Sequence, residues 1–419
     1  MKRKFRIIVG MLLLAIPLCM NAQVRPTKPA QDSKKAKVEK AEKEKPEKPE
    51  RPDRPDRPDR PEKHEKQKGG LEMPKISGFV QGMYQANLSD KGDLIDNTLR
   101  MRRVRLSVDG NLSKTVSYKI QGDFTRSPML VDAFIKYKPC REFAIQLGQF
   151  KTPFTLESPI NPVNLEIFDY GESVQQLVGY KDVCGVGALG RDLGLMATGS
   201  LFPVENANGY QYSIVDYAVG VFNGNGANQL DNNNRKDIVG RLEVHPGLKA
   251  LTLSGSYYYG MYRNTTVEDE IAANGVARGK TVFPNGVRNR WAAGIQYNDD
   301  KLVLRGEYIS GQTGCKIGGL DEHGDALILD QILNSKGYYA VAGYNFAIGK
   351  DKSQRLMPVL RYEHFDQVNS ALLENTNWYT VGINYWPIKS LNFKLDYSLI
   401  QKESGSNSHR VVGILSYKF

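Results

Sequence analysis

The chain has 419 residues and a formal net charge of +11, and 40% of its residues are hydrophobic. The charge is uneven along the chain: residues 1–22 contribute +4, residues 23–70 contribute +5, and residues 71–419 contribute only +2. Because the longest part of the chain is nearly neutral, its overall basicity does not indicate a nucleic-acid partner.

Residues 1–22 have the features of a secretory signal peptide. The basic start MKRKFR is followed by the apolar run IIVGMLLLAIPL, and Ala22 offers a small residue for cleavage. The apolar run is shorter than the ~20 residues of a membrane-spanning helix, and no later stretch reaches that length. Lipidation at Cys19 is the alternative, which the bulky Leu18 disfavours. We therefore expect an exported protein that can cross a membrane only through strands.

Residues 23–70 form a low-complexity segment rich in charge and proline, including RPDRPDRPDRPEKHEK. Such a segment buries too little apolar surface to offset the entropy of ordering it. Regularly spaced prolines favour the extended polyproline II conformation. We expect a solvated, disordered periplasmic spacer here. The alternative is a tether that binds peptidoglycan or a periplasmic partner.

Three cysteines remain after the predicted cleavage: Cys140, Cys184 and Cys315. An odd number cannot pair completely within one exported chain, and no cysteine or histidine spacing matches a metal site. The sequence leaves two interpretations open, isolated residues without a role or a Cys140–Cys184 disulfide. It predicts no cofactor and no metal.

From Ile76 onward the hydrophobic pattern has a period of two, which is typical of β-strands and not of helices. In LNFKLDYSLIQ (391–401), apolar residues alternate with asparagine, lysine, aspartate and serine. Most of the runs have 10–13 residues, close to the ~9–11 residues that cross a bilayer as a tilted strand. Sixteen runs are predicted, near residues 75–86, 99–112, 115–124, 129–138, 142–151, 191–202, 210–222, 236–246, 250–262, 288–298, 302–311, 336–348, 355–365, 376–386, 391–401 and 409–419.

The connections between these runs alternate between short turns, such as LSKT, PCR and DDK, and a second set that is mostly long. An even number of strands with short turns at one end and long loops at the other is typical of a bacterial outer-membrane barrel. The sequence therefore predicts an all-β fold, a transmembrane antiparallel β-barrel of about 16 strands within residues 71–419. The predicted longer connections are residues 87–98, 125–128, 152–190, 223–235, 263–287, 312–335, 366–375 and 402–408.

The last predicted strand, RVVGILSYKF, places Tyr417 and Phe419 on its apolar face. In a closed barrel this face contacts lipid, and the edge of the strand pairs with the first strand. The terminal aromatic residue resembles the C-terminal signal that the outer-membrane insertion machinery recognises. The predicted partners are therefore outer-membrane lipid and that machinery.

The longest connection, residues 152–190, follows the fifth strand and contains apolar residues such as Phe154, Leu165 and Leu177. Because an exposed loop would not need them, we expect this segment to fold into the barrel as a constriction loop. Sixteen strands are enough to leave a water-filled lumen. The alternative is an external cap over the barrel. The charged candidates on or beside the loop are Lys151, Glu157, Glu166, Asp169, Glu172 and Lys181.

Several segments resemble the phosphate-selective porin O/P family: RRVRLSVDGNLSKTVSYKIQGDF, VDAFIKYKP, GQFKTPF (148–154) and RDLG (191–194). The similarity is clearest between Arg102 and Phe202. It implies a diffusion channel of sixteen strands in the outer membrane of a Gram-negative bacterium, usually a homotrimer. Some members of the family favour anions such as phosphate.

Strand parity predicts which side chains face the lumen, because a charge on the lipid face costs ~2–4 kcal/mol near the middle of the bilayer. In the second strand, Val104 and Leu106 face lipid, so Arg103 and Arg105 face inward. Later strands repeat one pattern, an arginine and a glutamate two residues apart. The predicted pore-lining residues are Arg103, Arg105, Lys119, Asp123, Lys136, Arg241, Glu243, Arg305, Glu307, Arg361 and Glu363.

The arginine–glutamate pairs have two interpretations. Neighbouring charges can neutralise each other and stiffen the wall, or they can form a segregated field that filters ions. Residues 152–192 have a net charge of −4, which is unfavourable for an anion filter unless their carboxylates bond to the wall. We therefore expect a general or weakly selective porin, with an anion or phosphate preference implied by the resemblance alone.

Two other classes of protein compete with a channel. An enzyme would need an organised nucleophile or acid–base pair, and among the histidines of the predicted barrel His364 has a nearby carboxylate, Asp366, but no nucleophile. We therefore predict that the protein is not an enzyme. An adhesin or scaffold without an open channel would use the polar loops 263–287 and 312–335, and a cell-wall anchor would use residues 23–70.

Overall fold

The alternating segments close into a barrel in the computed structural model, which describes residues 73–180, 189–206, 209–262, 286–320, 326–368 and 375–419. The predicted signal peptide with Ala22, the spacer 23–70 and Lys181 lie outside these residues. The signal peptide and the spacer therefore remain predictions.

Seventeen strand segments are described, of which β12 and β13 form one strand of the wall because both pair with β14 on either side of Asn345. The segments are β1 Lys75–Ser89, β2 Leu94–Asn111, β3 Val116–Asp123, β4 Leu130–Tyr137, β5 Ala144–Lys151, β6 Arg191–Asn206, β7 Gly209–Phe222, β8 Asp237–Val244, β9 Leu251–Tyr262, β10 Gly286–Asn298, β11 Leu302–Leu320, β12 Ala326–Tyr344, β13 Phe346–Ile348, β14 Gln354–Val368, β15 Thr376–Ile388, β16 Leu391–Lys402 and β17 Asn407–Lys418. A 3-10 turn, Pro162–Asn164, and a helix, α1 Glu172–Val178, lie between β5 and β6. Neither has the length and apolar character of a membrane-spanning helix.

The sheet closes through its first and last strands. Each strand pairs antiparallel with its sequence neighbours, and β17 returns to pair with β1. Gly78 and Phe419 exchange two backbone hydrogen bonds, with N–O distances of 2.9 and 3.0 Å. Closure matters because hydrocarbon offers no hydrogen bonds to an open sheet edge. The predicted antiparallel barrel of sixteen strands is confirmed.

The burial of apolar and polar side chains on the two faces of each strand is inverted relative to a soluble protein. In β9 the apolar side chains are the exposed ones, with Leu253 41% exposed, whereas Ser254 is only 9% exposed on the inner face. The same alternation extends along β16, where Leu395 is exposed and Lys394 is buried. The outer surface is therefore apolar and the lumen is lined by polar groups, as a wall between lipid and water requires.

Two of the predicted long loops are wrong, because they are largely strand. β2 begins at Leu94, and β11 and β12 continue through most of residues 312–335. Above the bilayer both faces of a hairpin contact water, so the hydrophobic alternation that marks a membrane strand disappears while the backbone ladder continues.

Cys140 lies in the turn between β4 and β5 and is disulfide-bonded. This contradicts the interpretation of three isolated cysteines. Cys184, its partner in the alternative interpretation, lies outside the described residues.

The first prediction tests the lipid-facing surface at Leu360, which is 62% exposed on β14. Leu360→Lys is expected to lower the free energy of unfolding by ~2–4 kcal/mol, because it places a charge against hydrocarbon. Leu360→Met is the matched control and should be nearly neutral. Guanidinium unfolding in lipid vesicles, followed by tryptophan fluorescence, measures both, and equal stability of the two variants would contradict the membrane assignment.

Candidate functional site: the lumen and the constriction loop

The constriction loop, residues 152–190, folds into the barrel, as predicted. It is described for residues 152–180 and 189–190. Asn161 caps the 3-10 turn by accepting a hydrogen bond from the backbone N–H of Val163 (3.3 Å). Gly179 caps the C-terminus of helix α1, and its φ of 99° lies in the left-handed region that glycine adopts readily.

Apolar side chains fix the loop against one side of the wall. Phe154, Leu165 and Leu177 are buried and belong to one hydrophobic cluster. The cluster includes inward-facing residues of seven successive wall strands, Phe222, Val239, Tyr258, Ala292, Ile309, Tyr339 and Phe365. The wall from β7 to β14 therefore carries an apolar inner patch that the loop covers. An external cap would not make these contacts.

Glu157 is the centre of a buried ionic contact between loop and wall. It forms a salt bridge with Arg361, and both side chains are completely buried. Arg305 lies 3.7 Å from the same carboxylate, and the backbone N–H of Gly171 donates to it (2.7 Å). A buried carboxylate is stable only with such compensation.

Glu166 makes a second ionic contact with the wall. Its carboxylate accepts hydrogen bonds from Arg305, with an Oε1–Nη1 distance of 3.3 Å. Burial raises the pKa of Glu166, but the charge and hydrogen bonds of Arg305, together with the charge of Lys394, lower it overall below the ordinary value. Glu166 therefore carries its charge at neutral pH. The backbone carbonyl of Glu166 accepts a hydrogen bond from the side-chain amide of Asn384 on β15 (2.7 Å).

Asp169 attaches the loop to β2 through two consecutive arginines. Its carboxylate lies 2.6 Å from Arg102 and 3.4 Å from Arg103. Both arginines reach inward because β2 has a bulge: Gln81 pairs with Arg103 and Gly82 pairs with Met101, so Arg102 is an extra residue. Strand parity missed Arg102, and nothing in the sequence marks the bulge.

Four of the predicted pore-lining residues lie beneath the loop. Arg305, Glu307, Arg361 and Glu363 face inward, but each is at most 4% exposed. Glu307 accepts from the backbone N–H of Leu156 (2.6 Å), and Glu363 accepts from the N–H of Glu172 (2.5 Å). These side chains therefore hold the loop and do not contact open water.

The three arginine–glutamate pairs differ from one another. Arg361 contacts Glu363 at 2.6 Å and Arg241 contacts Glu243 at 3.2 Å. No direct Arg305–Glu307 ion pair is found within the described residues, because Arg305 turns to the carboxylates of the loop. Arg241 also donates to the backbone carbonyl of Thr155 (3.1 Å), so this pair too helps to hold the loop.

The open part of the lumen lies on the opposite side, between the loop and strands β2–β6. A cavity of about 340 Å³ is bounded there by Pro159, Asn161 and Pro162 of the loop and by Arg105, Lys119, Asp132, Lys151 and Arg191 of the wall. Two of its cations are neutralised: Arg191 contacts Asp132 (2.7 Å) and Arg105 contacts Asp123 (2.9 Å).

The two lysines of this cavity are less compensated. Lys119 lies 3.5 Å from Asp109 at a partly exposed site. Lys151 donates to the carbonyl of Ile160 and to the hydroxyl of Tyr170, both at 2.9 Å. Within the described residues Lys151 has no ion pair, and its amino group is held by neutral hydrogen-bond acceptors.

A second cavity of about 230 Å³ continues toward the end of the barrel that carries the short turns. It is lined by Lys136, Lys138, Arg141 and Arg241, together with Asp216 and Glu243. Lys136 and Lys138 form no ion pair with any described residue. Both cavities are lined by strands β4–β6, and in each of them cations outnumber carboxylates; we call the space that they mark the open path.

A closed barrel with an apolar exterior, a charged interior and a loop folded into the lumen defines an outer-membrane porin. The family model for phosphate-selective porin O and P matches residues 75–413. The chain belongs to this family and forms a diffusion channel in the outer membrane.

The fold is similar to those of solved outer-membrane proteins. The anion-selective porin from Comamonas acidovorans is 13% identical, with a TM-score of 0.55 over 83% of this chain and 99% of that chain. The outer membrane channel DcaP of Acinetobacter baumannii is 14% identical, with a TM-score of 0.55 over 84% and 98% of the two chains. OmpT of Vibrio cholerae in its trimer form is 9% identical, with a TM-score of 0.50 over 83% and 100%. None of the curated proteins compared matches the sequence.

The second prediction tests how the loop is held. Glu157→Gln is expected to weaken the loop–wall attachment by ~3–5 kcal/mol, because it leaves Arg361 and Arg305 with less compensating charge in a buried site. Glu172→Gln, the same change in the same loop, should have little effect, because within the described residues that carboxylate accepts a hydrogen bond from Gln176 of α1 and forms no ion pair with the wall. Limited chymotrypsin digestion of the folded protein, which cleaves a released loop at its aromatic residues, compares the two variants.

Equal protection of the loop in both variants would contradict the role assigned to Glu157. Faster cleavage of the Glu172→Gln variant would contradict it as well.

Proposed function

We propose that this porin prefers small anions, phosphate among them, and that they pass along the β2–β8 side of the lumen. The observation that carries the proposal is the unequal distribution of paired charges. The loop carboxylates Glu157, Glu166 and Asp169 bond to wall arginines. The lysines of the open path lack comparable partners.

This distribution reduces the effect that the acidic loop has on ions in the lumen. A net charge of −4 facing water would repel anions, but carboxylates that are neutralised by buried arginines contribute little to the field of the path. The remaining field comes from Lys119, Lys136 and Lys138, which follow one another from below the constriction to the short-turn end. A low-dielectric wall lined by one sign of charge concentrates ions of the opposite sign.

The comparisons support the same preference. The family is described as phosphate-selective, and one structurally similar protein is an anion-selective porin. Each description belongs to the relatives; this chain belongs to the family described and shares the fold of the solved porin.

A non-enzymatic channel is favoured over an enzyme. His364, the histidine that the sequence places near Asp366, bonds to Asn377 (2.9 Å). Asp366 pairs instead with Lys336 (3.1 Å). The two residues therefore do not form an acid–base pair with each other.

The N-terminal segment is proposed to be a periplasmic spacer that ends at β1. β1 begins at Lys75, at the end of the barrel that carries the short turns, and short turns are periplasmic in bacterial barrels. Residues 23–70 then lie in the periplasm, where they can reach peptidoglycan or a protein partner. If residues 23–70 retain no partner in a pull-down, the tether interpretation is contradicted.

A homotrimer is proposed, with strands β3–β5 as its contact face. These three strands have 8 residues each, which span only about 20 Å when tilted, less than the ~25 Å apolar band of such barrels. The wall is therefore low on this side, and the apolar side chains Leu99, Met101 and Phe124 beside it are exposed, with Leu99 80% exposed. A second copy of the chain would cover the low wall and these exposed apolar side chains.

The third prediction concerns ion selectivity in planar bilayers. Lys119→Glu combined with Lys136→Glu is expected to lower the anion-to-cation permeability ratio on the order of fivefold, since two positive charges beside the path become negative. The reversal potential in a KCl gradient measures this ratio. Lys352→Glu, in an exposed turn between β13 and β14, is the control and should leave it unchanged. A wild-type channel that prefers cations would contradict the anion proposal.

The fourth prediction concerns the trimer face. Leu147 on β5 and Leu360 on β14 are both 62% exposed on the outer surface. Leu147→Trp is expected to dissociate the trimer because its bulk clashes with the neighbouring copy, whereas Leu360→Trp faces lipid and should leave the trimer intact. Native mass spectrometry in detergent measures the assembly. Trimers in both variants would place the contact face elsewhere, and a monomeric wild type would contradict the trimer.

A further inference from the structure

A histidine and two carboxylates meet at the short-turn end of the lumen, away from the constriction loop. Asp216 lies on β7 and Glu243 on β8, where the two residues are direct cross-strand partners. His245 is the first residue after β8. One ligand atom from each of the three residues lies within 4.8 Å of the others.

Two carboxylates directly opposite each other on one face of a sheet repel and need compensation. Glu243 has a cation beside it, with Arg241 Nε 3.2 Å from Oε1. Asp216 accepts a hydrogen bond from the Ser200 hydroxyl (2.5 Å). Its second oxygen, Oδ2, lies 3.0 Å from Nε2 of His245.

The other ring nitrogen of His245 has two neutral neighbours. Nδ1 lies 3.2 Å from the backbone carbonyl oxygen of Leu251 and 3.2 Å from the hydroxyl of Thr252. In the tautomer that donates from Nδ1 to the Leu251 carbonyl, Nε2 offers its lone pair to a cation beside Asp216. A histidine whose far nitrogen donates to a backbone carbonyl is also how proteins orient a metal-binding imidazole.

The donor set indicates the kind of cation. One imidazole nitrogen and two carboxylate oxygens are ligands for zinc-like ions, whereas calcium and magnesium prefer oxygen alone. Ligand atoms at ~2.0–2.2 Å from zinc are about 3–3.5 Å apart, and the Asp216–His245 separation is already in this range. Asp216 and Glu243 line the 230 Å³ cavity, so further coordination positions face water.

We propose that Asp216, Glu243 and His245 bind a divalent transition-metal ion, Zn²⁺ or a similar ion, at the periplasmic end of the lumen. Arg241 competes with the metal for Glu243 and weakens the site. A bound ion adds fixed positive charge beside Lys136 and Lys138, and through the proposed function it strengthens the anion preference at this end of the path.

The binding experiment uses the folded, full-length mature protein in detergent micelles, treated with chelator and carrying no affinity tag. Titration calorimetry with ZnCl₂ is expected to show saturable binding, and His245→Ala should weaken it at least about tenfold because it removes the nitrogen ligand. His409→Ala is the matched control, since His409 contacts Tyr397 (2.7 Å) near the opposite end of the barrel. His64 in the N-terminal segment is the same in every variant.

Arg241→Gln supplies a result that a purely structural role does not predict. It keeps all three ligands and removes the competing cation, so Zn²⁺ affinity should rise. Absence of saturable binding, equal affinity of the wild type and the His245→Ala variant, or a lower affinity after Arg241→Gln would each overturn the site.

The channel experiment is separate from the binding experiment. Zn²⁺ at a saturating concentration is expected to shift the reversal potential toward anions in the wild type and not in the His245→Ala variant. Binding without this shift would overturn the electrostatic role, whereas failure of the anion preference in the absence of Zn²⁺ would concern only the proposed function.

Discussion

The wall of the barrel separates hydrocarbon from water, and this separation constrains every strand. Each backbone group in the bilayer must be paired within the sheet, so the strands close on themselves through β1 and β17. Each strand must also present apolar side chains to one side and polar ones to the other, as Leu253 and Ser254 do on β9. Charges can therefore accumulate inside at a density that no soluble core would accept.

Those interior charges have two different uses. On the β9–β14 side, arginines such as Arg305 and Arg361 neutralise the carboxylates of the loop in buried contacts. On the β2–β8 side, lysines remain with few partners around the open cavities. The loop thus converts a symmetric ring of strands into a channel with a closed side and an open side. The charges of Glu157, Glu166 and Asp169 are neutralised by arginines of the wall.

Strand periodicity predicted the parts of the structure that depend on local sequence. The sixteen strands and the inward direction of Arg305 and Glu307 follow from alternation alone. The partners of these residues did not, because Glu166 and Leu156 approach them from a loop more than a hundred residues away. The inward direction of Arg102 was not predicted, because a bulge depends on the register between two strands. His245 was not predicted as a site residue, because a histidine in a turn is not part of a periodic pattern.

The loop is bonded to strands on several sides of the ring, including β2 through Asp169, β14 through Glu157 and β15 through Glu166. Attachment to strands in several directions restrains these strands at fixed distances from the loop. The width of the passage is then set by side chains on a rigid frame and not by bending of the wall. Stretching or thinning of the surrounding bilayer should therefore change the flow of ions through this channel very little.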